Sequence, residues 1–466
     1  MLRSRYEEMP LSQIKVSKKK RWNAIQVVIL GHLSLIFLGT LLLSLPFAKA
    51  EPIRFLDSFF TSCSAVCVTG LSVLDIGTAY THQGHWIILF LMEIGGLGIM
   101  TISTTLILLA GMRPGFNQQS VLLSTFTTDN DVDASKILKA IIPFTLLLQL
   151  FGVLIYFTQF KELPTYDRFF SSLFHAVSSF CNVGLSLFPD SLMRFQTNTV
   201  VNITTCILVI AGGFGFLAIT EMQHFFNFKT REFQRLSLHT KIAAICTLIL
   251  IIGGGLILWF TESSTTIKDL SFADKMLSTF FISISARTAG LNTIDMATLS
   301  LNSIFLIIIM MIIGSNPGSC GGGIKTTTAA VIALLGFNRL LGRQKTQVLG
   351  RTIPEETVDR AVRIFVIAIV VLVGATLILL HTEAATATMA GSESSLFIKI
   401  LFEVASAYST CGLSLGLTPE LSDPGRIIIC IVMFVGRMGP LFLISAVARH
   451  DSESGMWFAE EDIMVG

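Results

Sequence analysis

Eight apolar runs, at 24–47, 86–109, 137–157, 200–226, 242–260, 304–335, 361–380 and 427–447, alternate with polar stretches along this chain. Each is long enough to cross a hydrocarbon core about 30 Å thick. The runs fall in pairs, and inside each pair lies a shorter segment with helical spacing of aromatic and small residues, at 55–66, 169–180, 272–286 and 396–408. These segments are too short and too polar to cross. Each stops just before a glycine of a recurring tripeptide: Gly70-Leu71-Ser72, Gly184-Leu185-Ser186, Gly290-Leu291-Asn292 and Gly412-Leu413-Ser414. The intervals of 114, 106 and 122 residues approximate a quarter of the 466-residue chain. A phenylalanine precedes each glycine by ten positions (Phe60, Phe174, Phe280, Phe402), and a small residue by five (Ala65, Ser179, Ser285, Ala407). Four tandem copies of one unit account for the coincidence.

The pattern predicts an all-α membrane protein of four helix, pore helix, loop, helix repeats around a central pore, with eight transmembrane helices and four re-entrant pore helices. The expected divisions are a basic arm (1–23), repeat 1 (24–112), repeat 2 with its preceding connection (113–228), repeat 3 (229–338) and repeat 4 with the C-terminal tail (339–466). In each repeat a half-helix enters the membrane and an extended strand leaves it. Bare backbone at that depth must be buried in protein or line a water-filled cavity. Four such strands could offer carbonyl oxygens in place of a monovalent cation's hydration shell, with the negative ends of the half-helices nearby. Any single glycine of this kind could equally be a helix cap or a packing position. Four in register favour a shared role.

Composition agrees with a lipid environment. The chain is 52% hydrophobic and 14% charged, with a mean hydropathy of +0.71, outside the range of a water-soluble globule. Of 33 lysines and arginines, 21 lie in the N-terminal arm, the connections between repeats and the tail. By the positive-inside rule the arm (Lys15, Lys18, Lys19, Lys20, Arg21) and the connections (Lys229, Arg231, Arg235, Lys241; Arg339, Arg343, Lys345, Arg351) are cytoplasmic. An even number of spans leaves both termini inside. The basic arm is an ordinary topology signal that also meets anionic headgroups, so nucleic acid is not expected as a partner. The first apolar run is too long for a cleaved signal and reads as a retained helix. The eight cysteines lack zinc-site spacing and read as reduced packing residues.

The third repeat differs from the others. Its second apolar run is interrupted at 314–325, where Gly314, Ser315, Asn316, Pro317, Gly318, Ser319, Cys320, Gly321, Gly322 and Gly323 cannot stay in a regular helix. No comparable insertion interrupts the other three second spans. A polar loop across a conduction path reads as a gate, and the alternative is a kinked helix packed in protein. Arg437 falls inside the last apolar run, where an arginine costs about 2.5 to 3.5 kcal/mol and needs a watery path or a partner. Loop carbonyls are the expected partners, with snorkelling to the interface as the alternative. Lys325 reads as the end of the broken helix. Arg287 could neutralise a carboxylate or form a salt bridge, and His175 and Glu403 read as packing or hydrogen-bonding groups.

These features resemble the Trk/Ktr/HKT superfamily of potassium transporters over essentially the whole chain. The stretches Ala65-Val66-Cys67-Val68-Thr69-Gly70-Leu71, Ser285-Ala286-Arg287-Thr288-Ala289-Gly290-Leu291-Asn292-Thr293 and Gly436-Arg437-Met438-Gly439-Pro440 are most similar to the KtrB-type membrane subunits of bacterial Ktr systems. The resemblance implies a K+ filter at Val68-Thr69-Gly70, Asn182-Val183-Gly184, Thr288-Ala289-Gly290 and Thr410-Cys411-Gly412. Glycine at all four final positions implies potassium over sodium as the selected ion. It also implies that the third-repeat loop closes the pore beneath the filter, and that Arg437 hinders cation passage there. Further implications are a homodimer on a KtrA-like cytoplasmic nucleotide-binding ring, control by ATP and ADP through that ring, sodium-stimulated (symporter-like) uptake, and residence in the bacterial inner membrane.

A Trk-type, proton-coupled subunit is the near alternative. The short arm, without added spans before the first repeat, favours Ktr. An intramembrane enzyme would need a nucleophile and a base converging in one cavity, and the scattered cysteines argue against it. The glycine clusters lack phosphate-loop spacing and a preceding strand.

Overall fold

A computed structural model describes residues 24–98, 134–225, 236–387 and 393–439. The basic arm, Lys229, Arg231, Arg235 and the C-terminal tail lie outside the described residues. The described chain is helical apart from one small antiparallel hairpin, β1 (Gln347–Val348) and β2 (Arg351–Thr352).

Four long apolar helices take the place of the first runs: α1 (Ala24–Ser44), α4 (Ala134–Gln159), α8 (Leu238–Glu262) and α12 (Glu355–Ala387). Each holds a stretch long and apolar enough to cross a membrane. Each is followed by one of the shorter helices, α2 (Phe55–Val66), α5 (Thr165–Phe180), α9 (Phe272–Ser285) and α13 (Glu393–Ser409), and packs against it. The predicted segments and these helices agree closely, because apolar, aromatic and serine residues at helical spacing end at a residue that must leave the helix. Phe60, Phe174 and Phe402 are wholly buried, whereas Phe280 is half-buried against Gly255.

The second runs are not continuous helices. They give α3 (His82–Leu97), α6 (Thr199–Gly213) with α7 (Phe216–Phe225), α10 (Leu301–Ile312) with α11 (Thr326–Leu340), and α14 (Asp423–Met438). Helices α6 and α7 meet at a 101° bend. The interruption expected only in repeat 3 therefore has counterparts. Helix α3 ends at Gly98 and α14 at Gly439, both at positive φ, and Gly215 at φ +92° lies in the bend. An apolar run conceals such a break, since one glycine hardly changes hydropathy yet admits a backbone closed to other residues. For this reason only four described helices, or five counting the bent pair, are long enough to span.

Each second span is tied at its start to the end of the first. Thr81 Oγ1 donates to Phe47 O at 2.6 Å and Asn198 Nδ2 to Gln159 Oε1 at 3.1 Å. Ser300 donates through N (3.0 Å) and Oγ (2.5 Å) to Glu262, and Ser422 through N (3.1 Å) and Oγ (2.6 Å) to Glu383. Thr81, Asn198, Ser300 and Ser422 are also the N-caps of these helices, a role worth about 1 kcal/mol each.

Candidate functional site

The residues after the four short helices share one backbone course. Val68, Asn182, Thr288 and Thr410 adopt φ of 58°, 57°, 73° and 49°, a left-handed conformation costly for branched side chains. Two residues on, Gly70, Gly184, Gly290 and Gly412 take φ of 89°, 85°, 72° and 99°. The intervening amides turn back to the helix: Thr69 N donates to Ser64 O at 2.8 Å, Val183 N to Ser178 O at 2.9 Å, Ala289 N to Ser285 O at 2.9 Å and Cys411 N to Ser406 O at 2.9 Å. With the amides engaged, the carbonyls are left to face the neighbouring loops.

Those carbonyls meet glycines. A Cβ placed on Gly70 would collide with Val183 O, on Gly290 with Cys411 O and on Gly412 with Thr69 O, and on Gly184 it would stand 2.7 Å from Ala289 O. The same positions lie 3.0–3.1 Å from the Cα of the next loop's glycine. The contacts run from first to second, third, fourth and back to first, so the four loops close a ring. A methyl group fits at none of these glycines, and all four obstructing carbonyls are backbone that no side-chain rotation can move.

Buried serines hold the ring, and of these the sequence pattern singles out only Ser285. Ser64 Oγ and Ser406 Oγ accept from Gly70 N and Gly412 N, both at 3.0 Å. Ser178 Oγ donates to Leu185 O at 2.7 Å, and Ser285 Oγ donates to Leu291 O. Ser64, Ser178 and Ser406 stand six positions before their glycines, a regularity readable from sequence once the glycines are aligned.

The 314–325 loop lies directly against the ring. A Cβ on Gly321 would strike Thr288 Oγ1 and one on Gly322 would strike Thr410 Oγ1, while Gly322 N donates to Thr410 Oγ1 at 2.9 Å. Asn316 N and Cys320 N donate to Gly213 O and Gly212 O, each at 3.1 Å, and Gly323 N to Gly436 O at 3.4 Å. Asn316 Nδ2 reaches Phe214 O at 3.0 Å and Thr247 Oγ1 at 3.2 Å. Ser319 Oγ donates to Ser315 Oγ at 2.7 Å and Asn316 O at 2.6 Å. Pro317 O lies beside Gly215, and Gly318 O accepts from Phe216 N at 2.8 Å. The loop ends pair through Gly314 N and Ile324 O at 2.8 Å.

Two cations grip adjacent loop carbonyls. Arg437 donates to Cys320 O and to Gly95 O, with Gly96 O at 3.4 Å. Lys325, at the N-cap of α11, donates through Nζ to Gly321 O at 2.5 Å. A cation at a helix N-terminus opposes the macrodipole, so this lysine does more than end a helix. Arg287 meets no carboxylate among the described residues: its NH2 donates to Thr247 Oγ1 at 3.3 Å, and the expected neutralisation or salt bridge does not occur there. Glu403 accepts from Ser414 Oγ at 3.0 Å and from Thr418 Oγ1, and His175 bonds Ser171 O (2.7 Å) and Ser186 Oγ (3.0 Å). Both have the local hydrogen-bonding role expected of them.

The apolar helices and the ring-forming loops define a helical membrane protein. The family profile of cation transport proteins, TrkH, matches residues 11–458, and the chain belongs to that family. It is 33% identical over 444 residues to the Ktr system potassium uptake protein B of Vibrio alginolyticus, covering 95% of this chain and 94% of the relative. It is 34% identical over 459 residues to the potassium/sodium uptake protein NtpJ of Enterococcus hirae, covering 97% and 99%. The crystal structure of the potassium transporter TrkH from Vibrio parahaemolyticus superposes with a TM-score of 0.72 at 20% identity, covering 93% of this chain and 86% of that one.

Proposed function

We propose that this chain carries out potassium uptake across the cytoplasmic membrane of a bacterium, without covalent catalysis. The observation that carries the reading is the ring of Gly70, Gly184, Gly290 and Gly412, each set against a carbonyl of the next loop. Carbonyls held in this way replace the water around a bare monovalent cation. Val68, Thr69, Asn182, Val183, Thr288, Ala289, Thr410 and Cys411 complete the filter, and α2, α5, α9 and α13 are its pore helices. The names of the Vibrio alginolyticus and Enterococcus hirae relatives support potassium as the cargo. Sodium is the activating ion, although the second relative's name also favours sodium as a second cargo.

The repeats run 24–112, 113–228, 229–338 and 339–466, with both termini cytoplasmic. The 314–325 loop is the gate, from Gly314 through Gly323, and Arg437 holds it closed. Its hydrogen bonds to Thr410, Gly212, Gly213 and Gly436 beneath the ring support this. A homodimer on a KtrA-like nucleotide-binding ring, through which ATP and ADP act, follows the likeness to Ktr subunits. Arg339 in the last turn of α11, with Arg343, Lys345 and Arg351 on the α11–α12 connection, all exposed, are part of the surface offered to that ring.

The test is uptake in a bacterium lacking its own potassium transporters, expressing this chain with a KtrA-like partner. Wild type rescues growth at low potassium, more strongly with sodium, and Gly290→Ser weakens potassium affinity. Uptake indifferent to Gly290→Ser would remove the filter from the reading.

A further inference from the structure

The breaks in the second spans leave helix-end carbonyls without their usual donors. Gly436 O has Pro440 four residues on, which carries no N–H. Phe216 N, four residues after Gly212, is spent on Gly318 O. The C-terminal turns of α3, α6 and α14 thus present the carbonyls of Gly95, Gly96, Gly212, Gly213 and Gly436 to the loop and to Arg437, each at the negative end of a helix dipole. In this conformation each carbonyl is covered by the loop or by a side chain. Cys320 N, Asn316 N and Gly323 N cover Gly212, Gly213 and Gly436, while Arg437 covers Gly95 and Gly96. The group that covers Gly95 O, Gly96 O and Cys320 O is itself a cation.

We propose that the carbonyls of Gly95, Gly96 and Cys320 form a second monovalent-cation site, occupied here by the Arg437 guanidinium as an internal substitute for the ion. The proposal rests on the transport reading above and adds a station to it. An ion leaving the glycine ring meets three carbonyls already arranged around positive charge, and its arrival competes with Arg437. Loss of the guanidinium from Cys320 O frees the loop on that side, so ion entry and loop release are one exchange. Without such an exchange, moving the loop would strand bare carbonyls at membrane depth without a partner.

Anomalous scattering from crystals of the full chain in rubidium locates the ions directly. Wild type and Arg437→Lys, each with a cation in place, should show rubidium at the glycine ring and none at the second site. Arg437→Ala should add a peak within coordinating distance of Gly95 O and Gly96 O. Arg437→Met, which keeps the stem and drops the charge, serves if the alanine protein does not fold. Rubidium at the ring but not at the second site in the uncharged variants overturns this proposal and leaves the filter intact. A peak at the second site with an empty ring supports this site and overturns the filter. Peaks at neither place overturn both.

Discussion

Arg426 NH1 lies 2.5 Å from Asp57 Oδ1, with 11% and 7% of the two side chains exposed, and so joins α14 to α2, helices 369 residues apart in the chain at this contact. In the repeat division proposed above, these two helices belong to the fourth and first quarters, and among the described residues packing and bonds such as this one hold them together. Arg54 extends the cluster by pairing with Asp57 (3.0 Å) and Asp423 (3.0 Å), but Arg54 and Asp423 are more than half exposed. The buried pair should matter and the exposed one should not. Arg426→Ala, which leaves the buried Asp57 with only the half-exposed Arg54 as its ionic partner, is expected to cost about 1–3 kcal/mol, less than a fully orphaned buried charge. Asp423→Asn is expected to cost less than about 1 kcal/mol. Thermal unfolding in detergent measures both, and equal losses would show that this junction does not depend on the buried pair.

Gly412 and Gly416 separate crowding from strain. Both have strongly positive φ, 99° and 87°, yet a Cβ on Gly412 would strike Thr69 O while one on Gly416 would meet nothing within 4 Å. Gly416→Ala pays about 1–2 kcal/mol in backbone strain and should retain potassium over sodium discrimination. Gly412→Ala must displace the neighbouring loop and should lose discrimination at least about tenfold, equivalent to 1.4 kcal/mol. Competition uptake assays with the two ions give the comparison, and matched selectivity in the two variants would count against the ring.

Asn316 anchors the loop by its amide and its side chain, and its neighbour Thr247 also receives Arg287, three residues before Gly290. Asn316→Ala removes the side-chain bonds, each worth about 1 kcal/mol, and should raise the basal potassium flux of the chain reconstituted without a partner. Proteoliposome flux is the readout. A folded variant with unchanged or lower flux would mean that the loop is not held shut from this side.

Glu262 accepts from Ser300 N, Ser300 Oγ and Thr265 Oγ1. Glu262→Gln keeps one accepting oxygen and should cost less than Glu262→Ala, which leaves Ser300 N and Oγ without their acceptor at the start of α10 and is expected to lose about 1–3 kcal/mol. Thermal unfolding orders the two. The reverse order would place the importance of Glu262 elsewhere than at this helix start.

The short helices and their glycines were legible in the sequence because a helical repeat of Phe, Ser and small residues stops at the same tripeptide four times. The paired first spans were legible from length and apolarity alone. The breaks at Gly98, Gly215 and Gly439 were not, since each is a single residue in an apolar run and depends on backbone torsion rather than on composition. Tertiary pairing hid the rest: Gln159, Glu262 and Glu383 look like ordinary helix ends until Asn198, Ser300 and Ser422 are seen to meet them. Lys325 and Arg437 were visible as charges, but the two adjacent carbonyls they share, Gly321 O and Cys320 O, belong to a folded loop.

Because a single polypeptide supplies all four sides of the glycine ring, its quarters are free to drift apart in ways that four identical subunits cannot. Lengthening a loop in a homotetramer lengthens it four times and crowds the axis. Here one quarter has acquired a long insertion, another an arginine, and the remaining two the surfaces on which both rest. The division of labour beneath the ring is thus open to a chain that encodes each quarter separately, since a change written into one is not copied into the other three.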